Sequence, residues 1–424
     1  MQSGFGMSAR SCGIDFGTSN STVAVADESG ARLLALEDDH VTLPSAVFWE
    51  SDGAAPEFGR AAIAAYVRGD DGRLMRGLKS TLGSSLINDK TRVGNRAISF
   101  KDVVARFFGH MKQRLDAQRG GGITSVVLGR PVHFVDDDAL GDANAQGVLE
   151  DIARATGFRD IAFQYEPIAA ALQYEAGIAR EELVLIVDIG GGTSDFSIVR
   201  VSPERAKLAD RQADILANDG IRVGGTDFDR ILSLAEVMPQ LGYLSPTGGG
   251  KGLMPRHYFL DLATWHRINM LYVGQTMTDL KALRHLADRP ELIDRLIKVV
   301  TARAGHSLAM AVEEAKITLA DADVARIALS AFTGGPNPLA TRLRFDEAVA
   351  APVGRIRATL RNLLAQAGLH PGDIGTVFMT GGSSGLPILR ACVGDVLPGV
   401  PIATGDMLGS VGTGLALEAR RRFG

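Results

Sequence analysis

The chain has 424 residues, more than one hydrophobic core usually serves, so two or more domains are expected. Its 46% hydrophobic and 22% charged residues are ordinary globular usage, and a net charge of −4 argues against a broad nucleic-acid or anionic-membrane surface. The two cysteines, Cys12 and Cys392, make no disulfide framework and suit a reducing cytoplasm, while no apolar run nears the roughly 20 residues of a membrane span.

The opening MQSGFGMSAR is too short and too weakly apolar for a secretory signal. It is expected to be a loose end, with Met7 an alternative start. GIDFG from Gly13 then reads as a buried strand ending in a turn, as do SVVLG (125–129), LVLIVD (183–188) and TVFMTGG (376–382). Helical patterns lie between: LEDIARATGF (149–158), the Ala-rich YEPIAAALQYEAG, AMAVEEAKITLA (309–320) and RIRATLRNLLAQAG (355–368). The last ends at Gly368, with Pro371 beyond it as a stop. Strands alternating with helices predict an α/β protein with a largely parallel sheet in each half. Residues 46–115, with the basic cluster RLMRGLK (73–79), and residues 227–303, with SPTGGGKGLMP, read as insertions decorating two related halves. GGGK lacks the phosphate-loop spacing and is expected to be a flexible surface loop.

One device occurs twice, as GIDFGTSNSTVAV from Gly13 and VDIGGGTSDFSIV from Val187. Aligned on the aspartates, Asp15 matches Asp188, Gly17 matches Gly190, Thr18 matches Thr193, Ser19 matches Ser194 and Asn20 matches Asp195. A strand ending in Asp and turning through Gly and Thr gathers a carboxylate for a metal or its waters, backbone N–H groups for an anion, and hydroxyls for phosphate oxygens. Two copies predict two jaws of one polyphosphate clamp.

This pattern resembles the actin-like ATPase superfamily. With EPIAAALQYE, GGTDFD, EEAKITL, FMTGGSSGLPILR and VGTGLALEA in order, it resembles the nucleotide-binding domain of DnaK-type heat-shock chaperones from about residue 12 to 418. The likeness is to the short YegD-like relatives, because the sequence given stops at LEARRRFG without the family's linker and β-rich peptide-binding domain. The implied fold is α/β and actin-like: two ribonuclease-H-like lobes, two inserted subdomains and a central nucleotide cleft. Lobe I is expected at 12–182 (insertion 46–115), completed by a closing helix at 409–424, and lobe II at 183–408 (insertion 227–303).

The resemblance also implies roles. Asp15, Asp188 and Asp195 would hold Mg²⁺, mostly through water. Gly17, Thr18, Ser19 and Asn20, and Gly190, Gly191, Gly192 and Thr193, would contact phosphates. Lys79 would meet the γ-phosphate and Glu166 would lie near the attacking water, with Asp188 and Asp195 sharing the catalytic work. From the residues alone, Lys79 reads equally as a solvated lysine and Glu166 as a helix-start residue. Gly381, Gly382, Ser383 and Gly385, with Glu313, Lys316 and Ile317 on one helix face, would border the adenosine; an exposed Glu313–Lys316 ion pair is the plainer reading of that pair. Ile317 and Gly385 stand where the family has adenine-stacking arginines, and Ala320 replaces a serine hydroxyl, so weaker or altered nucleotide affinity is expected. Ala139 lies near where the family carries a relay arginine, whereas Pro131 is kept.

The function implied is Mg²⁺-dependent binding of ATP or ADP, with K⁺ as a further candidate ion, and slow ATP hydrolysis driving lobe closure. Expected partners are the nucleotide and a protein docking through 227–303, with no nucleic acid and no membrane, in the cytoplasm. An actin-like filament or a scaffold with little turnover is the alternative. A small-molecule kinase is disfavoured, because no sugar-recognition cluster is present.

Overall fold

The computed structural model describes residues 10–53, 55–93, 96–135, 138–208, 210–404 and 409–424; the expected loose end and Met7 lie outside them. The apolar runs ending in aspartate form the central strands of two sheets. In the first, β1 (Ser11–Phe16), β2 (Asn20–Asp27), β3 (Gly30–Leu33), β4 (Ser125–Arg130) and β5 (Asp160–Tyr165) lie in the order β3-β2-β1-β4-β5, and Thr42–Pro44 adds a short strand against β2. The second contains β6 (Glu182–Ile189), β7 (Ser194–Val201), β8 (Ile215–Ile221), β9 (Thr376–Thr380) and β10 (Ile402–Thr404) in the order β8-β7-β6-β9-β10.

The two sheets share one plan. Each is antiparallel on the hairpin side and parallel on the other. The duplication in the sequence is therefore a duplication of topology. The parallel side explains the unbroken apolar runs, because strands covered on both faces have no solvent side to alternate toward. Val126, Val127 and Leu128 are buried together, as are Val184, Leu185, Ile186 and Val187.

Four helices carry or brace the candidate site residues: α1 (Glu166–Glu175), α2 (Gly225–Leu232), α3 (Gly305–Asp321) and α4 (Ser410–Phe423). Helix α4 closes the chain against β1 and α1. It approaches so closely that a methyl at Gly13 would overlap the backbone at Leu415 and Ala416, and one at Gly414 would overlap the carbonyl of Ala169. The small residues of "PIAAAL" and "GTGLA" are thus a contact requirement rather than a composition bias. Phe16, at the end of β1, packs on Phe107 and Phe108 of the helix Phe100–Arg119, with ring centroids 5.9 and 5.1 Å away.

The chain forms two compact units. One comprises the chain up to Arg222 with Thr359–Ser384 and Gly394–Gly424; the other comprises Val223–Ala358 and Gly385–Val393. Both sheets fall in the first unit. The first insertion carries a small sheet (Ala46–Glu50, Glu57–Phe58, Gly72–Arg76) under the helix Gly59–Arg68. The second unit is mainly helical, with Gly274–Leu286 and Pro290–Thr301 between α2 and α3. Cys12 and Cys392 are buried, and no disulfide joins them. Among the described residues no helix is long and apolar enough to cross a membrane.

The α4 contact yields a paired test. Gly414→Ala should cost about 1–3 kcal/mol through overpacking. Gly147→Ala, inside the helix Ala139–Ala155 with open space around it, should gain about 0.5–1 kcal/mol from helix propensity. Denaturant midpoints decide this, and equal shifts in the two variants would contradict the packing.

Candidate functional site

The site begins with the two hairpin loops. In the first hairpin Phe16 pairs with Ser21 and Asp15 with Thr22; in the second Ile189 pairs with Ser194 and Asp188 with Asp195. Four residues separate the last pairs in each case, Gly17–Asn20 and Gly190–Thr193. This corrects the alignment of Thr18 with Thr193, Ser19 with Ser194 and Asn20 with Asp195. The loops have equal length, so Thr193 takes the place of Asn20, and Asp195 that of Thr22. Gly191 and Gly192 replace Thr18 and Ser19 rather than being inserted. The first loop therefore offers hydroxyls where the second offers bare backbone.

Both loops are braced. The Gly190 amide donates to the Thr193 carbonyl at 3.0 Å. Ser45 Oγ donates to the Gly17 carbonyl at 2.6 Å, and its amide donates to the Ser19 carbonyl at 2.8 Å. The tips meet, because a methyl on Gly191 would overlap Ser19 Oγ. Behind Asp188 runs the turn at Gly381, Gly382 and Ser383. Gly381 adopts φ +84 and lies so near Asp188 Oδ1 that a side chain there would collide with it, while the Ser383 amide donates to the Ile189 carbonyl at 3.1 Å.

Into this frame come two groups from elsewhere in the chain. Lys79 stands on the single helical turn Leu78–Thr81, and Glu166 on the first turn of α1, beside Pro167. Lys79 Nζ donates to Glu166 Oε1 at 2.5 Å, with the two side chains 13% and 17% exposed. Gly129, at the end of β4, floors the Glu166 side chain.

The charges around the pair are unbalanced. Burial first, then the Glu166 charge, push Asp15 up to about 7 against the opposing pull of Lys79. Burial first, then Asp195, Glu166 and Asp15, push Asp188 up to about 7. Burial alone would lower Lys79, but Glu166 and Asp15 outweigh it and hold the ammonium above its usual range. Asp15 and Asp188 keep some surface open while most of each is walled by protein. Asp195 is exposed at the lip and accepts from Thr193 Oγ1 at 3.0 Å.

The donor set is hard oxygen with an excess of negative charge, which fits Mg²⁺. Among the described residues no three His, Cys, Asp or Glu converge closely enough to ligate one ion directly.

The remaining expected residues lie in the second unit, Gly385 among them. On α3 the face proposed for Glu313, Lys316 and Ile317 is not uniform. Glu313 is exposed and Ile317 is 60% exposed, but Lys316 is only 6% exposed. Its Nζ lies 2.8 Å from Asp229 Oδ1, the final carboxylate of GGTDFD on α2. The GGGK segment is a hairpin tip rather than a loose loop. The amides of Gly249 and Gly250 donate to the Asp288 carboxylate at 2.7 and 2.8 Å. They do grip an oxyanion, but it is the protein's own. Ser45 and Asp229 were not legible in the sequence, for each acts on a partner distant along the chain. The GGTDFD motif marked the neighbourhood of Asp229 without revealing its role.

The raised carboxylates make a pH prediction for protein free of metal and nucleotide. Asp15 and Asp188 keep their protons to about pH 7 when folded, but unfolded aspartate ionises near pH ~3.9. The folded state then binds more protons, so their contribution is full below about pH 4 and is lost as pH rises through 7. Asp188→Asn should therefore raise Tm in EDTA, and by more at about pH 8 than at about pH 5. Calorimetry checks this; a variant destabilised equally at both pH values would contradict the charge crowding.

Two comparisons set the chain beside known proteins. The family model described as Hsp70 protein matches residues 11–237 and 274–420. "Chaperone protein HscA" of Salmonella typhimurium (strain LT2) is 27% identical over 96% of this chain, and its counterpart in Salmonella newport (strain SL254) is 26% identical over the same share. The chain spans 57% of the length of these curated relatives. With two sheets of one plan, paired hairpin loops and a family match over most of its length, this chain belongs to the Hsp70 family.

Proposed function

We propose that the chain is a Mg²⁺-dependent ATP-binding protein that hydrolyses ATP slowly and switches conformation with nucleotide state, a chaperone-like switch. The observation that supports this best is the Lys79–Glu166 pair, set among Asp15, Asp188 and Asp195 beside two equal hairpin loops. The amides and hydroxyls of Gly17–Asn20 and Gly190–Thr193 hold the polyphosphate. Asp15, Asp188 and Asp195 would hold Mg²⁺, mostly through water, and the ion would supply neutralisation of phosphate charge. Lys79 has three N–H donors; one lies on Glu166, leaving two for a phosphate oxygen. Glu166 accepts from Lys79 through Oε1, leaving Oε2 to orient and receive a proton from the attacking water. Positioning and charge stabilisation of this kind are most of what phosphoryl transfer requires.

Ile317 is exposed on α3 where the family resemblance implies a cation, and Lys316 is held by Asp229, so weaker or altered nucleotide affinity is part of this proposal. We place a protein partner on the second insertion, 227–303, and the protein in the cytoplasm.

The variants separate roles. Lys79→Ala should lower phosphate release at least about tenfold while ADP affinity stays within about threefold, because its charge is needed most in the transition state. Asp188→Asn and Asp195→Asn should each lower release about tenfold in folded protein. Matched losses of rate and ADP affinity in Lys79→Ala would make that lysine structural, and full turnover in both Asn variants would sink the assignment.

A further inference from the structure

Ser45, the last residue before the first insertion, is 1% exposed, and its hydrogen bonds among the described residues all go to the first hairpin. Its Oγ lies 2.6 Å from the Gly17 carbonyl and 2.9 Å from Ser21 Oγ, and its amide donates to the Ser19 carbonyl at 2.8 Å. A serine hydroxyl has a single proton. That of Ser45 lies on Gly17, so the Ser21 hydroxyl donates to Ser45, and the chain Ser21–Ser45–Gly17 runs in one direction.

These bonds set which way the loop faces. A planar trans peptide points its C=O and N–H opposite ways. With the Gly17 carbonyl held inward on Ser45, the Thr18 amide of the same peptide points outward. Thr18 is exposed, and its amide donates to none of the described residues. It is therefore open to an anion. Gly17 admits no side chain, because a methyl there would overlap the Asn20 carbonyl. A glycine is also the residue whose peptide turns most readily. Turning here would bring the carbonyl oxygen to the face the anion needs. The second loop is braced from within, Gly190 to Thr193.

Ser45 also stands where two sheets meet. Pro44 before it pairs with Asn20 of β2, and Ala46 after it pairs with Arg76 in the insertion's own sheet. The chain runs from Arg76 through Gly77 directly into the turn Leu78–Thr81 that carries Lys79. One buried residue thus holds both the loop and the root of the strand pair that leads to Lys79.

We propose that Ser45 is a positioning residue for the polyphosphate: it turns the Thr18 amide toward the anion and fixes that loop in register with the Lys79 ammonium. This deepens the ATP reading and rests on it. The full chain with Mg²⁺ is titrated with a fluorescent ADP analogue, and phosphate release is followed with ATP. Ser45→Ala should weaken ADP binding at least about fivefold, because the amide it frees to turn serves a charged group. Ser21→Ala also removes a buried hydroxyl but leaves the Ser45–Gly17 bond, and should stay within about twofold. A purely structural role would move both variants alike. Ser45→Ala should lower phosphate release at saturating ATP at least about threefold, but less than about 1.5-fold in a Lys79→Ala background, as coupled residues do.

Thermal melts report on folding. If Ser45→Ala does not melt cooperatively, Ser45→Cys, with its weak S–H donor, is read by the same criteria. Equal losses in the Ser45 and Ser21 variants, undiminished ADP binding in a folded Ser45 variant, or full additivity with Lys79→Ala overturns the proposal and leaves the ATP reading standing. A parent chain that binds neither ADP nor ATP overturns both.

Discussion

Asp15, Glu166, Asp188 and Asp195 gather four carboxyl groups around the one ammonium of Lys79, and burial with mutual repulsion pushes Asp15 and Asp188 up to about 7. At an effective dielectric of about 20, two like charges about 4 Å apart repel by roughly 4 kcal/mol, so a fold that gathers such groups must be rigid enough to hold them. The rest of the structure serves that need. Asp15 and Asp188 end strands covered on both faces, Gly381 admits Asp188 to its turn, and α4 locks β1 through glycine-to-backbone contact. The proposed dication with its polyphosphate would relieve this crowding. A binding site stores energy in this way.

Symmetry explains how the crowding arises. Two sheets of one topology each deliver an aspartate at the end of a central strand, with a partner residue directly across the hairpin. The partner is Thr22 in one and Asp195 in the other, so the two hairpin loops are equal in length and unequal in charge. The second jaw, with its glycines, brings bare amides; the first, with Thr18 and Ser19, brings hydroxyls. Lys79 and Glu166 arrive from the first insertion and from α1, completing what neither hairpin holds alone.

Much of this was legible in the sequence. The apolar runs at Gly13, Ser125, Leu183 and Thr376 became strands, and the Ala-rich stretch after Glu166 became α1. The repeat announced paired hairpins because apolar–Asp–Gly is a local pattern with a local consequence. The loop alignment misled for a physical reason: Thr-Ser occurs in both copies, whereas register counts residues along the ladder. Lys316 was expected on an open face because helical spacing reports direction and not partners, and Asp229 draws it inward. The glycines at 248–250 suggested mobility because their anion, Asp288, lies far along the chain. The last two discrepancies concern contacts between residues far apart in sequence, where periodicity carries no information.

The central claim is that the two hairpins with Lys79 and Glu166 form a cation-dependent ATP site. Its most direct test is a titration of ATP and ADP with and without Mg²⁺, reading affinity and phosphate release on the same samples. The account predicts ATP binding with slow phosphate release in Mg²⁺, both lost on chelation and restored by adding the ion back. ATP binding indifferent to chelation, or no binding at millimolar nucleotide with Mg²⁺ present, would contradict it.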